Sequence, residues 1–405
     1  MNQVNTSCCI VGSGPAGMMA ALLLARAGVS VVLLEKHGDF LRDFRGDTIH
    51  PSTLEIMAEL GLLEKFLQRP HQEVTTLAGN VGDTLVTVAD FTHLPTRCKF
   101  VAFMPQWDFL SFLAEEARRY PAFDLRMQTR ADELLWENDR IVGVRAESPS
   151  GTVEIRAELT IAADGRESIV RQLAVLDPME LGAPMDVLWL RLTKHGDDPH
   201  ETFGYIRDGR MMALIDRGVY WQCAFVIPKG SLDELRERGL EAFRGEIGAI
   251  VPFLRDRAAE IQRWDDVKLL TVRVNRLRQW YRPGLLCIGD AAHAMSPIGG
   301  VGINLAIQDA VAAANMLGSK LLRGGVTVQD LRAVQRRREG AARLTQSLQL
   351  FIQSKVIGKV LAGKRAPLLR RLPALVRWLP FLPRIPGRLV GLGLRPEHVE
   401  ERGAA

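Results

Sequence analysis

Residues 283–314 read PGLLCIGDAAHAMSPIGGVGINLAIQDAVAAA. An apolar run, Leu285 to Ile288, leads to Gly289-Asp290. A loop of small residues follows, then a glycine-rich turn, then a long apolar helix beginning near Gly302. A strand that ends on Gly-Asp and returns through a helix delivers its loop to the carboxyl edge of an open α/β sheet, where ligands bind. Ala291, Ala292 and Ala294 keep the turn slim, and Pro297 stiffens the approach to the glycines.

The N-terminus supplies a second piece of the same pattern. Residues 8–11 are an apolar run that fits a buried parallel strand. Gly12-Ser13-Gly14-Pro15-Ala16-Gly17 follows, then the helix-like MMAALLLARAG, then VSVVLLE, which ends at Glu35. This is a complete βαβ unit. Gly12 permits the tight turn, Gly14 lets backbone approach a pyrophosphate, and Gly17 allows close helix–strand packing. The helix N-terminus offers N–H groups and positive dipole to phosphate. Glu35 falls where a carboxylate meets an adenosine ribose, with Lys36 beside it. The motif alone does not distinguish one dinucleotide from another.

A third piece, LTIAADGRESIVRQL, lies between these two. An apolar strand ends at Asp164-Gly165, and Ser168 opens a short helix. Residues 123–155 alternate short strand-like runs (DLRMQT, ELLWEND, RIVGVRAES, TVEIRAE) and read as an antiparallel meander attached to the nucleotide domain. Period-2 runs within 74–104 and across 175–275 read as a separate sheet, with SLDELRERGLEAFRGEIGAI as covering helices.

The order of the three motifs resembles the class A FAD-dependent aromatic monooxygenases typified by para-hydroxybenzoate hydroxylase. The resemblance spans most of residues 7–350. It implies an α/β fold: a Rossmann-like, glutathione-reductase-like FAD domain (1–73, 106–174 and 276–350), an inserted mixed or antiparallel substrate sheet (74–105 and 175–275), and a C-terminal helical, basic and apolar tail (351–405). It also implies site roles. Asp290 accepts a ribityl hydroxyl, and Asp164 holds backbone beside the pyrophosphate groove. Arg45 and, as a weaker match, Arg42 reach the flavin or its pyrophosphate, and Gln106 at a helix start meets the ribityl chain. Pro297, Gly299, Gly300, Gly302, Ile303 and Asn304 line the flavin, where glycine backbone passes close to a flat ring. The helix end there stabilises an anionic reduced flavin. The sheet is the ceiling over the substrate, with Tyr205, Met212, Tyr220 and Gln222 as candidate contacts.

The implied reaction uses NADH or NADPH and O2 to hydroxylate an aromatic or polycyclic small molecule through a flavin C4a-hydroperoxide. The cofactor carries the chemistry while the protein positions and dries the site. No residue stands out as a catalytic base, and His293 reads as a structural neighbour of the nucleotide. The alternative is a reductase, dehydrogenase or oxidase of the same fold acting on a lipophilic substrate. A halogenase is disfavoured, since no W-x-W-x-I-P run occurs. A scaffold that merely holds FAD would have little use for an anion-stabilising helix end.

Composition bounds the rest. The 405 residues carry a net charge of +5, too small an excess to imply nucleic acid. Five cysteines, odd in number and without C-x-x-C spacing, point to a reducing cytoplasm rather than a disulfide framework or zinc site, and the histidine spacing predicts no metal. Neither a signal peptide nor an apolar run of about 18 residues is expected. After Pro367 the chain is apolar, basic and broken by prolines. Two readings stand for that tail: it packs back on the domain, or it makes a peripheral membrane contact. A monomer and a homodimer are both compatible with the sequence.

Overall fold

A computed structural model describes residues 2–41, 48–199, 203–363, 374–376 and 378–400. An eight-stranded sheet carries the nucleotide-side motifs. Its main path runs Tyr281–Arg282, Leu285–Cys287, Gly151–Ala162, Asn2–Val11, Val31–Leu34, Phe123–Arg126. Cys8 to Val11, Val31 to Leu34 and Leu159 to Ala162 are buried, as a parallel sheet covered on both faces requires. The carboxyl ends of Asn2–Val11, Gly151–Ala162 and Leu285–Cys287 lie side by side, with Val11 beside Ala162 and Ala162 beside Cys287. Gly12, Asp164 and Gly289 therefore emerge at one edge.

Two details of the meander differ from expectation. DLRMQT is not part of it: Phe123–Arg126 pairs in parallel with Val31–Leu34. It follows the helix Gln106–Ala117 closely, and a strand returning from a crossover helix lies parallel to its predecessor. TVEIRAE and LTIAA form one strand, Gly151–Ala162. No turn former interrupts Ala157-Glu158-Leu159. Its first half pairs with the antiparallel strand Arg140–Ser148, and its second half carries the Asp164 motif.

The second sheet has seven strands, ordered Lys268–Leu270, Met185–Thr193, Tyr220–Pro228, Arg210–Asp216, Phe203–Arg207, Thr76–Val81, Thr84–Asp90. The early hairpin thus joins its far edge. Alternation divides its two faces. Leu188, Leu190, Met212, Leu214, Trp221, Cys223 and Phe225 pack against Phe243, Ile247 and Leu254 of the covering helices and turns. On the opposite face, Val187, Trp189, Ala213 and Ala224 meet Val272, Val274 and Leu350.

The C-terminal segment packs back over residues 384–400. The helix Arg384–Gly391 lies on the strand Thr84–Asp90. Gly387 is required there: a Cβ on it would stand 1.9 Å from the Asp90 carbonyl oxygen. The Asp90 N–H donates to Pro383 O at 3.0 Å, and a His50 ring nitrogen lies 2.7 Å from Val390 O. Among the described residues no helix is long and apolar enough to cross a membrane. All five cysteines are buried and free, and burial pushes the Cys9 thiol up to about 12.

The tight seat of Gly387 makes a direct test. Gly387→Val should destabilise the chain by about 2 kcal/mol through overpacking, read as a lower thermal midpoint. An unchanged midpoint would mean that this helix is not docked as described.

Candidate active site

The glycine loop is shaped by contacts that no side chain could share. Gly12 has φ +99°, and a Cβ there would come within 2.6 Å of Ala163 O and Asp164 Cα. A Cβ on Gly17 would sit 1.9 Å from Gly12 O. Gly14 differs, because nothing lies within 4 Å of its Cβ position, so its outer side is open. The helix Pro15–Arg26 starts there without a side-chain cap. Its first N–H groups remain for an anion. Ala16 touches the Gly289–Asp290 loop, 3.0 Å from where a Gly289 Cβ would be.

Glu35 ends the second strand of this unit in a buried position. It accepts from Ser13 Oγ at 2.6 Å and from His37 N at 3.0 Å, tying the glycine loop to the segment after the strand. Lys36 is exposed beside it. Gln106 is the first residue of its helix and is half-buried. Burial raises the neighbouring Asp108 carboxyl, opposed by Arg69 and by Arg217 from the second sheet. Arg45, and Arg42 with it, lies outside the described residues.

The Asp164 motif clamps the Gly289–Asp290 loop. Asp164 accepts from Ser168 Oγ and from Val170 N, closing the start of the short helix Ile169–Leu173. Burial raises its carboxyl despite these bonds. Arg166 Nε donates to Asp290 at 2.9 Å, and its Nη2 donates to Met295 O. Arg171 donates to Ala291 O and Arg166 O. Sequence reasoning missed both arginines. Their only signal was their place in GRESIVR, directly after Asp-Gly.

Beneath the loop lies a buried charge network. Asp309 Oδ2 accepts from the Gly289 N–H at 3.0 Å and lies 2.6 Å from His293 Nε2. Asp309 Oδ1 accepts from Arg338 Nε at 3.0 Å, and Arg338 in turn donates to Glu397 near the C-terminus. The side chains of Asp309, His293 and Arg338 are each 1% exposed. Burial alone would raise the Asp309 carboxyl, but His293 and Arg338 outweigh it and hold it below the usual range. His293 is thus committed to this network. Buried glutamines carry the far side of the loop: Gln346 donates to Ala294 O, and Gln349 donates to Ser296 O and Ile298 O.

The turn itself needs glycine. Gly299 and Gly300 have φ +77° and +62°, and Thr48 Oγ1 donates to Gly300 O at 3.0 Å. Pro297 opens this turn, and Gly302 starts the helix Gly302–Arg323 with no side-chain cap. Ile303 and Asn304 are buried in its first turn. Asn304 Oδ1 accepts from Thr53, while its buried Nδ2 has no partner. An orphaned buried amide is costly, and it fits a donor reserved for a ligand. With the open Gly14 cradle and two uncapped helix starts, the residues fit FAD.

On the second sheet the register sorts the substrate candidates. Met212 is fully buried under the covering helices, and Tyr205, its cross-strand partner, packs against the same cluster. Both lie on the helix-covered face of the sheet. Tyr220 and Gln222 flank buried Trp221 and so lie on the opposite face. The Arg191 guanidinium stands 5.1 Å from the Tyr220 ring centre, and Gln222 Oε1 accepts from Arg217 at 3.1 Å.

Two variants test this geometry. Asp290→Ala should purify largely without FAD; a fully yellow protein would contradict the placement. Asp309→Asn should lose about 3 kcal/mol, the range for breaking a buried pair. A carboxyl depressed by folding contributes stability above its unfolded pKa, lost as pH falls through the folded one. The wild-type advantage over Asp309→Asn should therefore be full at neutral pH and shrink below about pH 4. An advantage unchanged in acid would refute it.

A family model described as an FAD binding domain matches residues 5–347. The 6-methylpretetramide 4-monooxygenase of Streptomyces rimosus is 35% identical, over 91% of this chain and 90% of its own. The para-nitrophenol 4-monooxygenase of Pseudomonas sp. strain WBC-3 is 26% identical, over 78% of this chain and 79% of its own. In fold, the chain matches Pseudomonas aeruginosa PqsL in complex with 2-aminobenzoylacetate with a TM-score of 0.76, at 20% identity, covering 90% of this chain and 99% of that one. This chain belongs to the FAD-dependent aromatic monooxygenase family.

Proposed function

We propose that this monooxygenase hydroxylates a polycyclic aromatic small molecule, using O2 and NADH or NADPH, between the Gly289–Asn304 loop and the Tyr220–Gln222 face of the second sheet. The observation that carries the substrate class is the near end-to-end match to a monooxygenase named for 6-methylpretetramide. FAD bound there would supply the redox chemistry: hydride acceptance from the nicotinamide coenzyme and transfer of one oxygen atom of O2 to the substrate, the other leaving as water.

The chain's residues hold and tune. Gly14 and the uncapped helix start receive the pyrophosphate. Glu35 serves the adenosine ribose, and Gln106 and Asp290 serve the ribityl chain. Arg166 keeps the Asp290 carboxylate in place from 2.9 Å. Asp164 shapes the groove through the helix start that it closes. At the other end, the unpartnered Asn304 Nδ2 and the N–H groups of Gly302 and Ile303 at the uncapped helix start would offer donors and positive dipole to a flavin ring. The second sheet closes the site against water, and Tyr220 and Gln222 orient the substrate.

Product analysis under labelled dioxygen tests the reaction. Substrate-dependent NADH or NADPH oxidation should place one labelled oxygen in the product. Turnover without oxygen, or product without label, would contradict it. Gln222→Leu should raise the substrate KM about tenfold, the loss of one hydrogen bond, with FAD content unchanged. An unaltered KM would remove this face from the substrate site.

A further inference from the structure

We infer that the C-terminal segment around Trp378 is a docking surface for an anionic phospholipid bilayer. Its inner side is fully used. The helix Arg384–Gly391 is seated through Gly387 on the Asp90 backbone and through Gly391 against Leu94 and Phe91. Its outer side is the reverse of what a solvated tail requires. Trp378 is 83% exposed, Phe381 53% and Ile385 55%, with Leu375 and Leu379 also open. Scattered exposed leucines need no explanation, but a tryptophan, a phenylalanine and an isoleucine within eight residues form a patch. A segment held firmly along one side, with aromatic side chains thrust outward, has the layout of an interfacial anchor.

Charge selects the occupant. From residue 364 to residue 388 the sequence holds Lys364, Arg365, Arg370, Arg371, Arg377, Arg384 and Arg388, and no acidic residue. Within the described part, Arg384 and Arg388 are exposed beside Ile385. Basic residues interleaved with apolar ones match a surface with anionic headgroups above a hydrocarbon layer. A second copy of this chain would bring the exposed Arg384 and Arg388 against themselves, and like charges would oppose the contact. The segment also adjoins the site: Val390 Cγ2 is 3.9 Å from where a Gly299 Cβ would be. A bilayer there would lie on the side of the molecule where the flavin turn is.

The test uses the FAD-loaded full chain. Removing the segment would also delete Glu397 and its pairing with Arg338, so point variants are the sound choice. Trp378→Ala/Phe381→Ala alters exposed side chains only and should keep its FAD content and thermal midpoint. Wild-type protein should sediment with phosphatidylcholine vesicles containing phosphatidylglycerol about tenfold more than with phosphatidylcholine alone, and added salt should weaken this. The double variant should stay in the supernatant. Equal recovery of wild type in the supernatant with both vesicle types would overturn the inference. So would a concentration-dependent dimer that the double variant abolishes while neither protein binds vesicles.

Discussion

One buried carboxylate organises the nucleotide side of this protein. Asp309 receives the Gly289 N–H, contacts His293 and pairs with Arg338. A charge placed so deep is tolerable only when every partner is present. The Gly289–Asp290 turn is therefore held from below by the helix Gly302–Arg323, and through Arg338 by the helix Val328–Ile352. Glu397 extends the same chain of contacts to the last described residues. The Gly289–Asp290 loop is thus anchored by Asp309, Arg338 and Glu397, drawn from three separate segments of the chain.

The Asp164 motif holds the same loop from above, through Arg166 and Arg171. Glutamines support its far side. Around the loop, the flank of Gly14 is open, the Asn304 amide has no partner, and the helices Pro15–Arg26 and Gly302–Arg323 start without side-chain caps. These features lie together on the cofactor side of the loop, as a dinucleotide with a flat ring would need. The separation of tasks follows. In the function we propose, the nucleotide domain fixes the redox cofactor, and alternate residues of the facing sheet choose the substrate.

Much of this was legible in the sequence where the physics is local. Gly12, Gly14 and Gly17 are needed for contacts within one βαβ unit, and their spacing announces it. The strand-to-loop junctions at Asp164 and Asp290 are equally local. The supporting network was not legible, because Asp309, Arg338 and Glu397 meet only after three distant segments pack. The substrate sheet shows a different limit. Period-2 alternation says that Tyr205 and Met212 belong to faces, but not which face the helices cover, and a register of one residue reverses the answer. DLRMQT misled for a related reason, since a strand's own residues do not say whether its partner runs parallel or antiparallel.

We propose that the flavin binds against the loop from Gly289 to Asn304, braced by Asp309, and a crystal structure of the FAD-loaded protein is the decisive experiment. It should show the pyrophosphate against Gly14, a ribityl hydroxyl within hydrogen-bond reach of Asp290, and Asn304 Nδ2 donating to the ring or to a water that the ring holds. A flavin bound away from the Gly299–Gly300 turn, with the Asn304 amide still without a partner, would contradict it.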